Sequence, residues 1–138
     1  MKKHFYNPLF ISISGLFFAG TVMYLMPTQK EPWPVPDNYQ KMVNPVKSNP
    51  ESLKDGKALW SQHCQSCHGK KGSGDGPKAA ELKTEPGDFA LAEVQKQTDG
   101  SLFYKISEGR KDMPGFKKKI PDHDDTWNIV NFIRTMKK

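Results

Sequence analysis

Apolar and polar positions divide the chain into three stretches of different character. Residues 5–29 contain no charged side chain, and residues 9–26 form a predominantly apolar run of 18. Residues 27–50 hold six of the eleven prolines. Each proline lacks an N–H donor and restricts the residue before it, which predicts an extended tether. From Glu51 onward apolar residues recur at spacings of three and four, and few runs alternate with period two. That pattern predicts helices joined by long loops.

Three helices stand out in the last stretch. Ser48 followed three residues later by Glu51 is a capping-box pattern with Pro50 in the first turn, so a helix should run from about Asn49 to Cys64. Its apolar side comprises Leu53, Gly56, Trp60 and Cys64, with Gly56 leaving a notch for another backbone. A second helix over residues 98–108 is capped by Thr98 or Asp99, stopped at Gly109, and buries Leu102, Phe103 and Ile106. A third, capped by Asp122, places Ile129, Phe132, Ile133 and Met136 on one face and ends on Lys137 and Lys138, which complement the helix dipole. Between the first two, Gly69, Gly72, Gly74 and Gly76 form a chain-reversing loop, and Pro77 opens a short helix. The expected fold class is all-α with three to four helices. The expected divisions are an N-terminal segment at 1–26, a Pro-rich linker at 27–50 that either docks or hangs free, and a domain at 51–138.

The first stretch is an export signal of some kind. A run of 18 residues is near the lower limit for a spanning helix and longer than the roughly 7–15 residues of a signal-peptide core. No small-x-small cleavage site follows, since Phe18 occupies a position that should be small. The leading expectation is an uncleaved single-pass transmembrane anchor, and the alternative is a cleaved signal with a soluble periplasmic product. Lys2 and Lys3 favour an N-terminus left in the cytoplasm. Either way the domain lies outside the cytoplasm.

Charge and composition narrow the function. The chain carries a net +6, but from Glu51 onward 16 basic residues face 13 acidic ones. That balance is too mild for a nucleic-acid binder. Only 36% of residues are apolar, little for a domain this small, which suggests that something besides side chains fills the core.

The two cysteines, Cys64 and Cys67, are followed directly by His68. A structural zinc site needs four ligands, and no H-x3-5-H half accompanies the pair. A thioredoxin-type pair would follow a strand in a βαβ pattern, which is absent. The remaining chemistry is haem attachment through C-x-x-C-H. Residues i and i+3 of a helical turn share a face, so Cys64 and Cys67 can each form a thioether with one porphyrin, and His68 is then held at the iron.

With "CQSCHGKKGSGDGP", Gly56, Trp60, Ile129, Phe132 and "MPGF" at 113–116, the region from Glu51 to the end resembles the mono-haem class I cytochromes c. The resemblance implies one covalently bound haem c, a carbonyl at Pro77 accepting the axial imidazole N–H, and the sixth ligand in the "MPGF" segment. Met113 is the methionine that neither the exported segment, the tether nor the last helix accounts for, while His63 and His123 are the bis-His rivals. Phe116, Leu82, Phe89 and Tyr104 are candidates for the apolar shell. A site with His68 and Met113 both bound implies electron transfer rather than enzymatic turnover, with no small-molecule substrate and no nucleic acid. The expected role is a one-electron carrier between respiratory complexes, and the alternatives are a fixed haem subunit of a dehydrogenase, quinol-oxidising complex or terminal oxidase, or a haem sensor. Expected partners are redox proteins. Lys70, Lys71, Lys78, Lys111 and Lys117 to Lys119 either ring the haem edge to steer an acidic partner or form an ordinary solvated surface.

Overall fold

A computed structural model describes residues 31–138, in which all regular structure is helical apart from one isolated bridge between Arg110 and Met113. The segment expected to anchor the chain, residues 1–26, lies outside the described residues. Among the described residues no helix is long and apolar enough to cross a membrane. Three helices carry the fold: α2 (Pro50–His63), α5 (Asp99–Glu108) and α6 (His123–Arg134). Single turns lie between or before them at α1 (Asp37–Gln40), α3 (Gln65–His68) and α4 (Ala92–Gln95), with a 3-10 turn at Ala79–Glu81.

Helix α2 begins one residue later than the capping-box pattern implies. Asn49 is extended and its side chain accepts from the Ser52 N–H at 2.9 Å, with Pro50 at the first helical position. Asparagine is as good a cap as serine, and Pro50 has no N–H to waste there. Ser52, not Leu53, lies on the fully buried side with Gly56 and Trp60. Helix α5 matches both expected ends, with Thr98 accepting from Ser101 and Gly109 stopping it at φ 68°, whereas α6 starts as expected, with Asp122 accepting from Asp124, but ends at Arg134, which leaves Lys137 and Lys138 beyond the helix.

The main packing event is α2 against α6. A methyl at Gly56 would run into the Asn128 carbonyl and lie 3.1 Å from Phe132 Cβ, so the two helices meet backbone to backbone there. Around the crossing, Trp60, Ile129, Val130 and Ile133 are essentially fully buried, and Leu102, Phe103 and Ile106 of α5 and Trp127 of α6 extend the core. Phe103 stacks on Trp127 with ring centres 4.3 Å apart.

Of the two arrangements open to the Pro-rich stretch, residues 33–49 adopt the docked one, and Trp33–Lys138 form one compact unit. Tyr39 packs on Tyr104 at 4.9 Å, which turns Tyr104 toward this strap. Gly100 makes room for it, since a methyl there would strike the Tyr39 carbonyl. The strap is pinned by a buried polar cluster. Asn131 of α6 donates to the Val46 carbonyl at 3.0 Å and to Ser52 Oγ at 2.8 Å, and accepts from Asn44 at 2.9 Å. At its start Trp33 meets two cations, Arg110 at 4.7 Å and Lys105 at 5.3 Å from the ring centre. A ring face attracts both and offsets their mutual repulsion. Arg134 performs a similar fastening at the end of α6, donating to Asp99 and to the carbonyls of Gln95 and Gln97.

Candidate functional site

The first wall of the site is built where α2 breaks. Cys64 has φ −114°, and the chain resumes helical form as the single turn α3 that holds Cys67 and His68. The Cys67 and His68 N–H groups both donate to the Cys64 carbonyl, at 3.2 and 3.0 Å, which closes the turn around the two thiols. Such a short turn leaves its own carbonyls without helical partners. The glycine loop returns to supply them: Lys78, Gly76 and Gly74 donate to the carbonyls of Ser66, Cys67 and His68 at 2.8, 3.2 and 2.9 Å. Gly69, Gly72 and Gly74 adopt positive φ to make that return, as the glycine spacing implied.

The Cys64 thiol is kept protonated. Burial, and after it the neighbouring Cys67, pushes Cys64 up to about 12. That is the reverse of the lowered value a redox-active or metal-bound thiolate requires. Among the described residues no group of three or more His, Cys, Asp or Glu is placed to hold a metal ion, and the two cysteines form no disulfide.

His68 is held by aromatic neighbours. Its ring lies 4.9 Å from Phe89 in edge-on contact and 5.7 Å from Trp60, whose Nε1 is fixed by donation to the Gly69 carbonyl at 3.1 Å. Burial lowers the imidazole to about 4, with the Pro86 carbonyl acting in the opposite sense, so His68 is neutral at neutral pH with a lone pair to offer. Nδ1 is buried and closes no hydrogen bond, so the Pro86 carbonyl is a nearby acceptor rather than a bonded one. The resemblance had implied the Pro77 carbonyl in this place. The chain instead uses Pro77 where the returning loop turns into the 3-10 segment, and the run to Phe89 carries Pro86 to the imidazole.

A second wall is the segment after α5. Met113 is half-buried and sits in a tight hairpin, with Arg110 N–H donating to the Met113 carbonyl at 2.8 Å and Met113 N–H donating back at 3.0 Å. The segment is laid along the end of α5 by Phe116 N–H to Ile106 and Lys117 N–H to Ser107. Two bridges join it to the first wall. The buried Phe116 ring packs on His63 at 5.8 Å, one residue before Cys64, and Asp112 accepts from the Thr84 N–H, two residues before Pro86. The other histidine rival, His123, is exposed at the start of α6 with its ring on Phe103 at 5.4 Å. Of the shell candidates, Phe89 and Phe116 line these walls, Leu82 is half-buried, and Tyr104 faces the strap. Lys70, Lys71, Lys78, Lys111 and Lys117 to Lys119 are all exposed.

The donor set fits a covalently attached haem. Two thiols stand three residues apart on one turn, and a neutral imidazole follows, packed but with its buried Nδ1 still unpaired. Sequence reasoning missed Pro86, Asp112 and Thr84. A proline followed by Gly87 and Phe89 was visible, but nothing in the spacing ranked it above Pro77.

Comparison with known proteins agrees with a covalently bound haem c. Residues 51–133 match the family described as cytochrome c oxidase, cbb3-type, subunit III. No curated protein matches the chain. Among solved structures, the KustC0563 c-type cytochrome is 34% identical with a TM-score of 0.52, over 61% of this chain and 99% of that one. The reducing HAO-like protein complex Kustc0457/Kustc0458 of Kuenenia stuttgartiensis contains a chain of like fold, 23% identical with a TM-score of 0.63. The match covers 80% of this chain and 53% of that one, so this chain spans about half its length. Cytochrome CL from the marine methylotrophic bacterium Methylophaga aminisulfidivorans is 22% identical with a TM-score of 0.50, over 64% of this chain and 55% of that one.

Proposed function

Because the chain belongs to the cbb3-type cytochrome c oxidase subunit III family and is a mono-haem class I cytochrome c with covalently bound haem c, we propose that its haem is held by Cys64 and Cys67 as thioethers and by His68 and Met113 as the axial iron ligands. The observation that carries this is the attachment turn: two thiols three residues apart with the imidazole of His68 directly after them, all fixed by the returning glycine loop. The haem supplies a ferric–ferrous couple that takes up and releases one electron.

The chain's own residues set the conditions of that exchange. Trp60 and Phe89 fix the imidazole plane, and the Pro86 carbonyl is the acceptor toward which Nδ1–H turns, which raises the ligand's basicity. The Met113 thioether favours the ferrous form relative to a second imidazole. With His68 and Met113 both holding the iron, the haem would exchange electrons and leave no open position for a substrate.

In the finer reading the domain at 51–138 shuttles electrons between respiratory complexes outside the cytoplasmic membrane, tethered by a helix in residues 1–26. The uncharged run behind Lys2 and Lys3 supports it. The exposed lysines on both walls support docking to an acidic partner, with a rate that falls as salt rises. The family's description favours one alternative, a fixed haem subunit of an oxidase. Stable co-purification with a larger complex in mild detergent distinguishes the two roles.

The residue assignment is tested by producing the chain with a c-type maturation system and treating it with acid–acetone. Wild type should retain its haem, Cys64→Ala and Cys67→Ala should each retain it through one bond, and the double variant should release it. Retention by the double variant overturns the thioether assignment. A ferric spectrum without the Fe–S charge-transfer band overturns Met113.

A further inference from the structure

The hairpin that presents Met113 closes on two backbone hydrogen bonds but is strained at one corner. Its first corner, Lys111, has φ 54°, the one non-glycine residue with positive φ among the described residues. A left-handed lysine is disfavoured by roughly 1–2 kcal/mol, so the turn needs support from outside itself. On one side the support is α5, through the Phe116 and Lys117 N–H groups. On the other it is Asp112, the second corner, whose Oδ2 accepts from the Thr84 N–H at 3.0 Å across 28 residues of chain.

Thr84 belongs to the segment that two residues later brings the Pro86 carbonyl to His68. One hydrogen bond therefore ties the segment beside the fifth ligand to the hairpin carrying the sixth. We propose that Asp112 is a positioning residue for Met113, acting through Thr84 to keep the methionine hairpin closed over the iron. The proposal rests on the reading of Met113 as a ligand. A carboxylate suits the task because it accepts hydrogen bonds strongly.

The test uses the haem-loaded protein and three variants, Asp112→Ala, Asp112→Asn and Met113→Ala. Carbon monoxide binds ferrous iron only while Met113 is away, so its binding rate reports the open fraction. Asp112→Ala should bind carbon monoxide about fivefold faster, the factor that losing one hydrogen bond of ordinary net worth produces. It should also weaken the ferric Fe–S band on mild warming and speed amide exchange at Thr84. Asp112→Asn keeps a carbonyl acceptor and should recover most of the wild-type rate. A wild-type carbon monoxide rate in Asp112→Ala overturns the proposal. So does a raised rate matched in full by a fall in the global denaturation midpoint. Met113→Ala separates the two readings: an unchanged band and rate there overturn the ligand assignment itself, whereas band loss there with a silent Asp112→Ala overturns only the role of Asp112.

Discussion

Replacing Gly56 by alanine sets two physical effects of opposite sign against each other. Within an isolated helix the change is favourable by about 1 kcal/mol, because glycine loses more backbone freedom on folding. In this fold the added methyl meets the Asn128 carbonyl and crowds Phe132 Cβ. The obstruction is backbone on a neighbouring helix, so no side-chain rotation relieves it, and α2 and α6 must separate or slide. Overpacking of a fitted core costs about 1–3 kcal/mol, and a backbone obstruction belongs at the upper end. The net expectation is a loss of about 1–2 kcal/mol, which at about 4–8 °C per kcal/mol for a domain of this size lowers the melting midpoint by roughly 5–15 °C. Denaturant titration of the haem-loaded protein, followed by tryptophan emission and by the visible spectrum, measures it. Ser61→Ala, on the exposed side of the same helix, is the control and should stay within about 0.5 kcal/mol of wild type. A Gly56→Ala protein more stable than wild type by the full helix-propensity gain would refute the backbone contact between α2 and α6.

Other substitutions address the polar fastenings. Asn131→Ala removes three partners at once from a buried site and should cost about 2–3 kcal/mol, with residues 33–49 becoming sensitive to limited proteolysis while the rest resists. Uncut strap in that variant would show that other contacts suffice to hold it. Arg134→Met should cost about 1–2 kcal/mol, chiefly through the carbonyls of Gln95 and Gln97, since the ion pair with Asp99 is about a third exposed. That loss should change little between low and high salt, and a loss abolished by high salt would mean the ion pair dominates.

The helices were legible where local signals agreed with burial. Thr98 and Gly109 bracket α5, and Leu102, Phe103 and Ile106 lie at the spacing that buries them. Gly56 was visible as a notch because glycine inside a helix is unfavourable without a packing reason. The attachment turn was legible because covalent chemistry fixes its spacing. What escaped were features made by partners distant in sequence. Ser52 is buried in place of Leu53 because its hydroxyl meets Asn131, 79 residues away. Pro86 stands at His68 because of how the glycine loop returns. Asp112 looks like any exposed acid until Thr84 is placed beside it. The single turns α1 and α4 lie below the length at which periodicity can be read.

The docked strap also sets the length of the leash. If the flexible part ran to residue 50, the domain could range roughly 85 Å from Met26. With Trp33 already seated on Arg110 and Lys105, only six residues intervene, and the extended span shrinks to roughly 25 Å. For a chain anchored at Met26, the volume swept by the domain falls by more than an order of magnitude, and the local concentration it presents to a neighbour within reach rises accordingly. On the proposed reading, with residues 1–26 as the anchor, a carrier held this closely would serve complexes in its immediate patch of membrane and reach others by lateral diffusion rather than by swinging on a long arm.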